Sequence, residues 1–205
     1  MRLISFLLCL IPINFCLSQQ EVYENKTEKQ LYNFNAFKSG EKLEYKLNYG
    51  FFNASYASLT LKDEVLDGKK VLRATSIGRT TGLARLFFKV DDIYETFFPK
   101  EKVKPVKSIR DIYEGGYERE AETIYDYKNN KALFYDKLKN IKKEFNIHPD
   151  IQDIISTFYY LRKHFDIASL KPNDLIYVDI FFDEEIYPFK MMFLGIERIK
   201  TKFGI

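Results

Sequence analysis

Two histidines are the first residues to test for chemistry, because imidazole is the commonest transition-metal ligand. His148 and His164 lie sixteen positions apart, on either side of a predicted helix. At about 1.5 Å of rise per residue, their side chains are separated by roughly 20 Å or more. Since a zinc site needs three or four converging ligands, we predict no metal site and no cofactor.

Carboxylates supply the second candidate chemistry, because a glycosidase needs only two carboxyl groups at a suitable separation. The acidic candidates on predicted strands are Asp91, Asp92, Glu118, Glu120 and Asp126. Alternation of acidic and apolar residues is, however, what the solvated face of an antiparallel strand shows. The chain has no Gly-x-Ser-x-Gly elbow, and neither histidine has a motif partner. We therefore predict no catalytic residues, and keep a polysaccharide hydrolase as the alternative.

Basic residues give weaker signals. Arg79, Arg85 and Lys89 flank Thr80-Thr81-Gly82, where a helix N-terminus could attract an anion. There is no glycine-rich nucleotide loop, so ion pairing with Asp91 or Asp92 is the simpler interpretation. The whole chain has 32 basic and 29 acidic residues, and this near balance argues against nucleic acid as a partner.

Aromatic residues dominate the composition, with 19 Phe, 15 Tyr and no Trp. Such side chains fill sheet faces, and a curved sheet partly covered by a helix can also leave a pocket for an apolar or amphiphilic ligand. Core packing explains each candidate equally well. The candidate ligand-binding residues are Tyr45, Tyr49, Arg79, Tyr94, Tyr125 and Phe189.

The N-terminus reads as a targeting segment, with Arg2 before an apolar run and small residues ahead of a predicted cut after Ser18. We predict a signal peptide over residues 1–18, a partly disordered leader over 19–38, and one β-rich domain over 39–205. Export to the periplasm or outer membrane follows, with no integral membrane span after cleavage. Lipidation of Cys16 is a minor alternative, because Phe15 is bulky where a small residue is expected. A chain cut after Ser18 has no cysteine, hence no disulfide or thiolate site.

The domain is predicted to be mainly β. Period-two alternation begins with Leu43, Tyr45 and Leu47, and Asp67-Gly68 is the strongest hairpin signal. About ten or eleven strands follow, with a short helix over residues 83–90 and a central strand over 175–182. The expected fold is a twisted antiparallel sheet, curled into a half-barrel or sandwich, with one main helix packed on it.

That main helix is predicted over residues 147–162, with Asp150 as its N-cap. The spacing of Ile151, Ile154, Ile155 and Phe158 predicts the face that packs on the sheet. On this prediction, Phe158→Ala costs on the order of 3–5 kcal/mol, as for a buried phenylalanine.

Three stretches carry a resemblance to a known family. They are residues 37–45 with Gly40-Glu41-Lys42-Leu43-Glu44-Tyr45, residues 82–84 followed by 87–92 with Lys89-Val90-Asp91-Asp92, and residues 153–162 with Phe158-Tyr159-Tyr160-Leu161-Arg162. Together they resemble the exported bacterial proteins catalogued as domain of unknown function 3108, in the form found in Bacteroidetes. The resemblance spans roughly residues 35–203. It implies a secreted or periplasmic, mostly β protein with no established activity.

Members of this kind usually continue with more strands after Lys-Thr-Lys-Phe-Gly, so the resemblance implies either a truncated sequence or an exposed sheet edge after Ile205. Together these features predict an exported envelope protein that binds or supports an apolar, amphiphilic or glycan component. A structural subunit of an envelope complex is a further alternative, and it predicts a protein partner at residues 196–205.

Overall fold

Residues 35–49 and 52–200 are described by the computed structural model, and they form ten strands and two α-helices. The strands are β1 (Lys42–Tyr49), β2 (Phe52–Leu66), β3 (Lys69–Thr80), β4 (Val90–Phe98), β5 (Lys107–Glu114), β6 (Tyr117–Asp126), β7 (Lys131–Asp136), β8 (Ile141–Asn146), β9 (Leu175–Phe182) and β10 (Glu185–Met192). The helices are α1 (Gly82–Phe87) and α2 (Ile154–His164), and a 3₁₀ turn follows at Ile167–Ser169.

The first eight strands form one antiparallel sheet in which each strand pairs with the next along the chain. The predicted hairpin at Asp67-Gly68 is present, with positive φ angles of 49° and 74° that suit a type I′ turn. β1 and β8 are the two edges of this sheet, which therefore stays open. The prediction of a mainly antiparallel β fold with one main helix is confirmed, and the sheet does not close into a barrel.

One face of the sheet carries the core, and we call it the inner face. α2 packs on it over β3 and β4. Tyr159 of α2 is fully buried and lies between Phe37 and Phe98, at ring-centroid distances of 5.0 and 5.4 Å. The other buried members of this cluster come mostly from the sheet: Leu59, Leu61, Leu72, Ala74 and Val103. Phe37 belongs to the sequence-predicted leader, and its burial ties the described end of that segment to the core.

The start of the main helix differs from the prediction. α2 begins after Asp153, whose side chain accepts a hydrogen bond from Ser156 N at 2.7 Å while Ser156 Oγ accepts one from Asp153 N at 2.9 Å. This reciprocal pair is a capping box. Asp150 is not the cap, because the residues after it are drawn into extended structure. Gln152 forms a parallel bridge with Ile180 of β9.

The buried face of α2 also differs from the prediction. Ile154 and Phe158 are 42% and 36% exposed, whereas Tyr159 and Ser156 have no exposed surface. Periodicity selected the apolar residues, but the small Ser156 lets the helix approach the sheet closely. Ile151, also assigned to the helix, is fully buried ahead of it in a second cluster, which lies under β9.

β9 and β10 form a separate two-stranded sheet over the inner face of β5 to β8. Phe181 of β9 packs against Tyr125 and Phe145, at ring-centroid distances of 6.3 and 5.4 Å. The predicted strand over residues 175–182 is therefore present, but it covers the main sheet instead of lying inside it. Residues 193–200 form no strand, and residues 201–205 lie outside the described part of the chain.

Candidate functional site

The inner face is covered unevenly. α2 and the β9–β10 hairpin cover most of it, but the ends of β1 to β3 nearest α1 carry no such cover. Register places Tyr45, Ala57 and Gly78 side by side across these three strands. Tyr45 is 47% exposed and Leu47 is 54% exposed, while Ala57 and Gly78 are half-buried. We call this surface, made of Tyr45, Leu47, Ala57, Ser76 and Gly78, the open floor.

Gly78 is the most informative residue of the open floor. It has ordinary strand geometry, and a Cβ built on it meets no atom within 4 Å. Neither backbone strain nor close packing therefore requires a glycine at this position. Glycine inside a strand often marks a place where another molecule approaches the backbone. The missing side chain leaves a shallow depression beside Ala57, which separates Gly78 from Tyr45.

Next to the open floor, a cleft lies between β4 to β6, the start of α2 and β9. Its cavity volume is about 30 Å³. That is room for about two water molecules. The lining of the cleft is mixed, with some polar and some apolar side chains. It includes Tyr94, Ser108, Arg110, Thr123, Phe134, Asp153, Ile154, Phe181 and Asp183. The cleft can take a polar group but cannot enclose an acyl chain.

Asp153 forms the inner wall of this cleft. Its Oδ2 accepts a hydrogen bond from Thr96 Oγ1 at 2.5 Å, in addition to the cap bond from Ser156 N. Burial raises the pKa of Asp153 above its usual range, and these hydrogen bonds oppose the rise. Oδ1 caps α2 and Oδ2 joins the helix to β4, so the residue has a structural role.

An ionic clamp forms the outer wall. The turn between β9 and β10 presents Asp183 and Glu184 to basic side chains of the sheet. Arg119 contacts Asp183 Oδ1 at 2.7 Å and Glu184 Oε1 at 2.9 Å, and Arg110 contacts Asp183 at 3.2 Å. Lys143 contacts Glu184 at 2.5 Å. These contacts hold the hairpin over the cleft and neutralise the arginines there.

The six candidate ligand-binding residues do not form one site. Tyr45 and Tyr94 share the inner face, and Tyr94 lines the cleft. Tyr125 is 5% exposed and belongs to the second core cluster. Two other candidates are elsewhere, Arg79 on the opposite face beside Tyr56 and Phe189 on β10. The side chain of Tyr49 lies outside the described residues. Ligand binding by any of them stays a prediction.

The carboxylates considered for hydrolysis are mostly engaged in ion pairs or turns. Arg85 binds Asp91 through two contacts of 2.8 and 2.6 Å, and Lys137 contacts Glu120 at 2.8 Å. Asp126 accepts hydrogen bonds within its own turn. Asp92 differs, because burial and then the nearby charge of Glu114 raise its pKa to about 6.

The histidines remain separate. His148 Nε2 lies 3.0 Å from Asp179 Oδ2, within ion-pair distance but without hydrogen-bond geometry. His164 lies at the far end of α2, where its ring is 4.8 Å from that of Tyr160. In the described ranges, no group of three His, Cys, Asp or Glu residues is arranged to hold a metal ion.

Sequence reasoning missed the open floor and the clamp. The sequence feature that could have indicated the open floor is Gly78, a glycine inside an otherwise alternating strand. The ion pairs of the clamp were hard to predict, because Asp183 and Glu184 have the residue types of a turn and their basic partners lie on strands far away in the sequence. That pairing depends on where the hairpin folds back.

An open antiparallel sheet with a helix and a hairpin on one face makes the described part of the chain a mainly β fold with a partly uncovered inner face. A family model described as "Protein of unknown function (DUF3108)" matches residues 44–205, and the chain belongs to this family. Searches of curated proteins and of solved structures found no match. The helices in the described segments are too short or too polar to cross a bilayer.

Proposed function

We propose that this protein is an exported component of the bacterial cell envelope, periplasmic or outer-membrane associated, that binds an amphiphilic ligand without catalysing a reaction. The open floor carries the proposal, because exposed Tyr45 and Leu47 and the depression at Gly78 are features of a binding surface. The N-terminal targeting pattern supports export. A glycan that stacks on Tyr45 is the other ligand class compatible with this floor.

An amphiphile suits the site because its two parts are chemically different. Tyr45, Leu47 and Ala57 offer apolar contact, while the adjoining cleft offers Tyr94 and Ser108 to a polar group. Since the cleft has room for about two waters, an acyl chain lies along the floor and not inside the protein.

The test fills the depression. Gly78→Leu adds a side chain to the open floor, where a Cβ meets nothing within 4 Å, so the fold is expected to persist. The matched control is Ile77→Phe, which adds bulk to the opposite face of the same strand. Titration with dansyl-undecanoic acid should show binding weakened at least tenfold in Gly78→Leu and unchanged in Ile77→Phe. Equal binding by both variants would falsify the assignment of the floor.

The second candidate function is glycan hydrolysis, favoured by the raised pKa of Asp92 beside Glu114. A buried carboxyl that holds its proton near pH 6 is the type of group that acts as a general acid. Asp92→Asn discriminates the two functions. A hydrolase loses turnover of envelope polysaccharide while staying folded, whereas a binding protein keeps its affinity for the dansyl probe.

A further inference from the structure

The short helix α1 exposes apolar side chains to an unusual extent. Leu86 and Phe87 are 80% and 87% exposed, and Leu83 is 51% exposed. None of the six residues of α1 is buried. The sequence predicted a short helix over residues 83–90, and the apolar residues Leu83, Leu86 and Phe87 of the observed helix face solvent. A contiguous apolar surface of this kind marks an interaction site.

Hydrogen bonds and an ion pair connect α1 and its flanking residues to the sheet, so the exposed apolar side chains have a defined position. Arg85 binds the carboxylate of Asp91 through both terminal nitrogens. Thr80 Oγ1 donates to Phe88 O and accepts from Val90 N, both at 2.9 Å. The ring of Phe88 lies over Gly115, where a Cβ would come within 2.2 Å of it. The helix is thus positioned with Leu86 and Phe87 projecting from the domain.

Other turns at the same end of the sheet share this character. In a meander, the β3–β4, β5–β6 and β7–β8 connections lie at one end. Tyr117 and Leu138 in the latter two are 51% and 54% exposed. At the opposite end, Val103 in the β4–β5 connection is fully buried in the core. Val65 in the β2–β3 hairpin is exposed there. Apolar exposure in the described connections is concentrated at the α1 end.

The charges around α1 suit a lipid headgroup layer. Residues 79–90 contain Arg79, Arg85 and Lys89 and no carboxylate. Arg85 is neutralised by Asp91, which Lys89 also approaches at 3.5 Å, while Arg79 is exposed. The neighbouring β5–β6 hairpin adds Glu114 and Glu118, both exposed. This end of the sheet is therefore close to neutral overall. The cations Arg79 and Lys89 lie in the same segment as the exposed residues Leu83, Leu86 and Phe87, which we call the apolar tip.

We infer that α1 docks this protein on a lipid bilayer by inserting Leu86 and Phe87 among the headgroups. A stable protein interface needs about 20–30 residues on each side, whereas the tip offers three projecting side chains. A bilayer needs no matching surface, and apolar insertion beside basic residues is how interfacial helices bind. The near-neutral surroundings imply only weak dependence on anionic lipid and salt. Because Ser55 and Thr80 pair next to α1, docking also brings the open floor to the membrane.

The chain has no tryptophan, which permits a site-specific reporter. The protein is purified from an exporting host, and its N-terminus is identified by mass spectrometry. Phe87→Trp is mixed with vesicles of phosphatidylethanolamine and phosphatidylglycerol (3:1), and Val65→Trp serves as the control at the opposite end. The emission of Phe87→Trp should shift to shorter wavelength, and that of Val65→Trp should not.

The second measurement is vesicle co-sedimentation of the double variant Leu86→Ser/Phe87→Ser against Val65→Ser. Losing two inserted apolar side chains should weaken binding at least tenfold. Both sites are exposed, so thermal unfolding should not change. Equal sedimentation of the two variants overturns the inference, as does self-association in the absence of lipid that depends on Leu86 and Phe87. Gly78→Leu should bind vesicles normally, which separates this inference from the proposed ligand site.

Discussion

Tyr159 shows how much a single residue contributes to this fold. Its ring contacts Phe37, Phe98 and Phe158, and it has no exposed surface. Its hydroxyl group is buried without a hydrogen-bond partner. The residue therefore stabilises the fold through its ring, while its hydroxyl group opposes burial.

We expect Tyr159→Ala to lower the free energy of unfolding by about 3–5 kcal/mol, because it leaves a cavity in the core. Tyr159→Phe should be neutral or stabilising, since it removes an unpaired buried hydroxyl. Phe158→Ala is the matched comparison and should cost clearly less, because Phe158 is 36% exposed. Urea unfolding measures all three. A larger loss at Phe158 than at Tyr159 would contradict the observed orientation of α2.

Asp92 gives the residue-scale prediction for pH. Its folded-state pKa of about 6 lies above the ordinary value of 3.8. Between these values the folded protein keeps a proton that the unfolded chain has released, so raising the pH removes stability. We expect the free energy of unfolding of the wild type to fall from pH 4 to pH 6 relative to that of Asp92→Asn. Parallel pH profiles for the two proteins would mean that Asp92 titrates normally.

At the scale of elements, the capping box decides where α2 begins. Asp153 supplies the cap and also accepts from Thr96, so it joins the helix to β4. Asp150 is exposed and precedes the bridge that Gln152 forms with β9. Two acidic residues three positions apart thus have different roles, although both suit a helix N-terminus by residue type.

Asp153→Ala should lower the free energy of unfolding by about 1–2 kcal/mol through loss of the cap, and by more if Thr96 is left unpaired. Asp150→Ala should change it by less than about 0.5 kcal/mol, as expected for a surface residue. Chemical denaturation monitored by far-ultraviolet circular dichroism provides both values. If Asp150→Ala were the more damaging change, the helix would start earlier than it does in the structure.

At the scale of the whole molecule, covering the sheet is what creates the candidate site. Eight strands present a wide inner face, but one eleven-residue helix and one hairpin cannot cover all of it. The part left open lies at the α1 end, next to the exposed apolar tip. The proposed ligand-binding floor and the proposed membrane-docking tip therefore lie at the same end of the sheet.

Much of this architecture could be predicted from local sequence patterns. Period-two alternation located most of the strands, and Asp67-Gly68 identified a hairpin, because strand geometry and turn chemistry act over a few residues. The main helix was also predicted, although its first residue was placed too early.

Tertiary structure alone decided which faces are buried and which residues meet. Ile154 and Phe158 suit a buried face by periodicity, yet the helix rotates Tyr159 and Ser156 toward the sheet because a small residue allows close approach. Tyr125 and Tyr45 look alike in the sequence, but the hairpin covers one and leaves the other open. Such outcomes depend on contacts between residues far apart in the chain, which local pattern cannot encode.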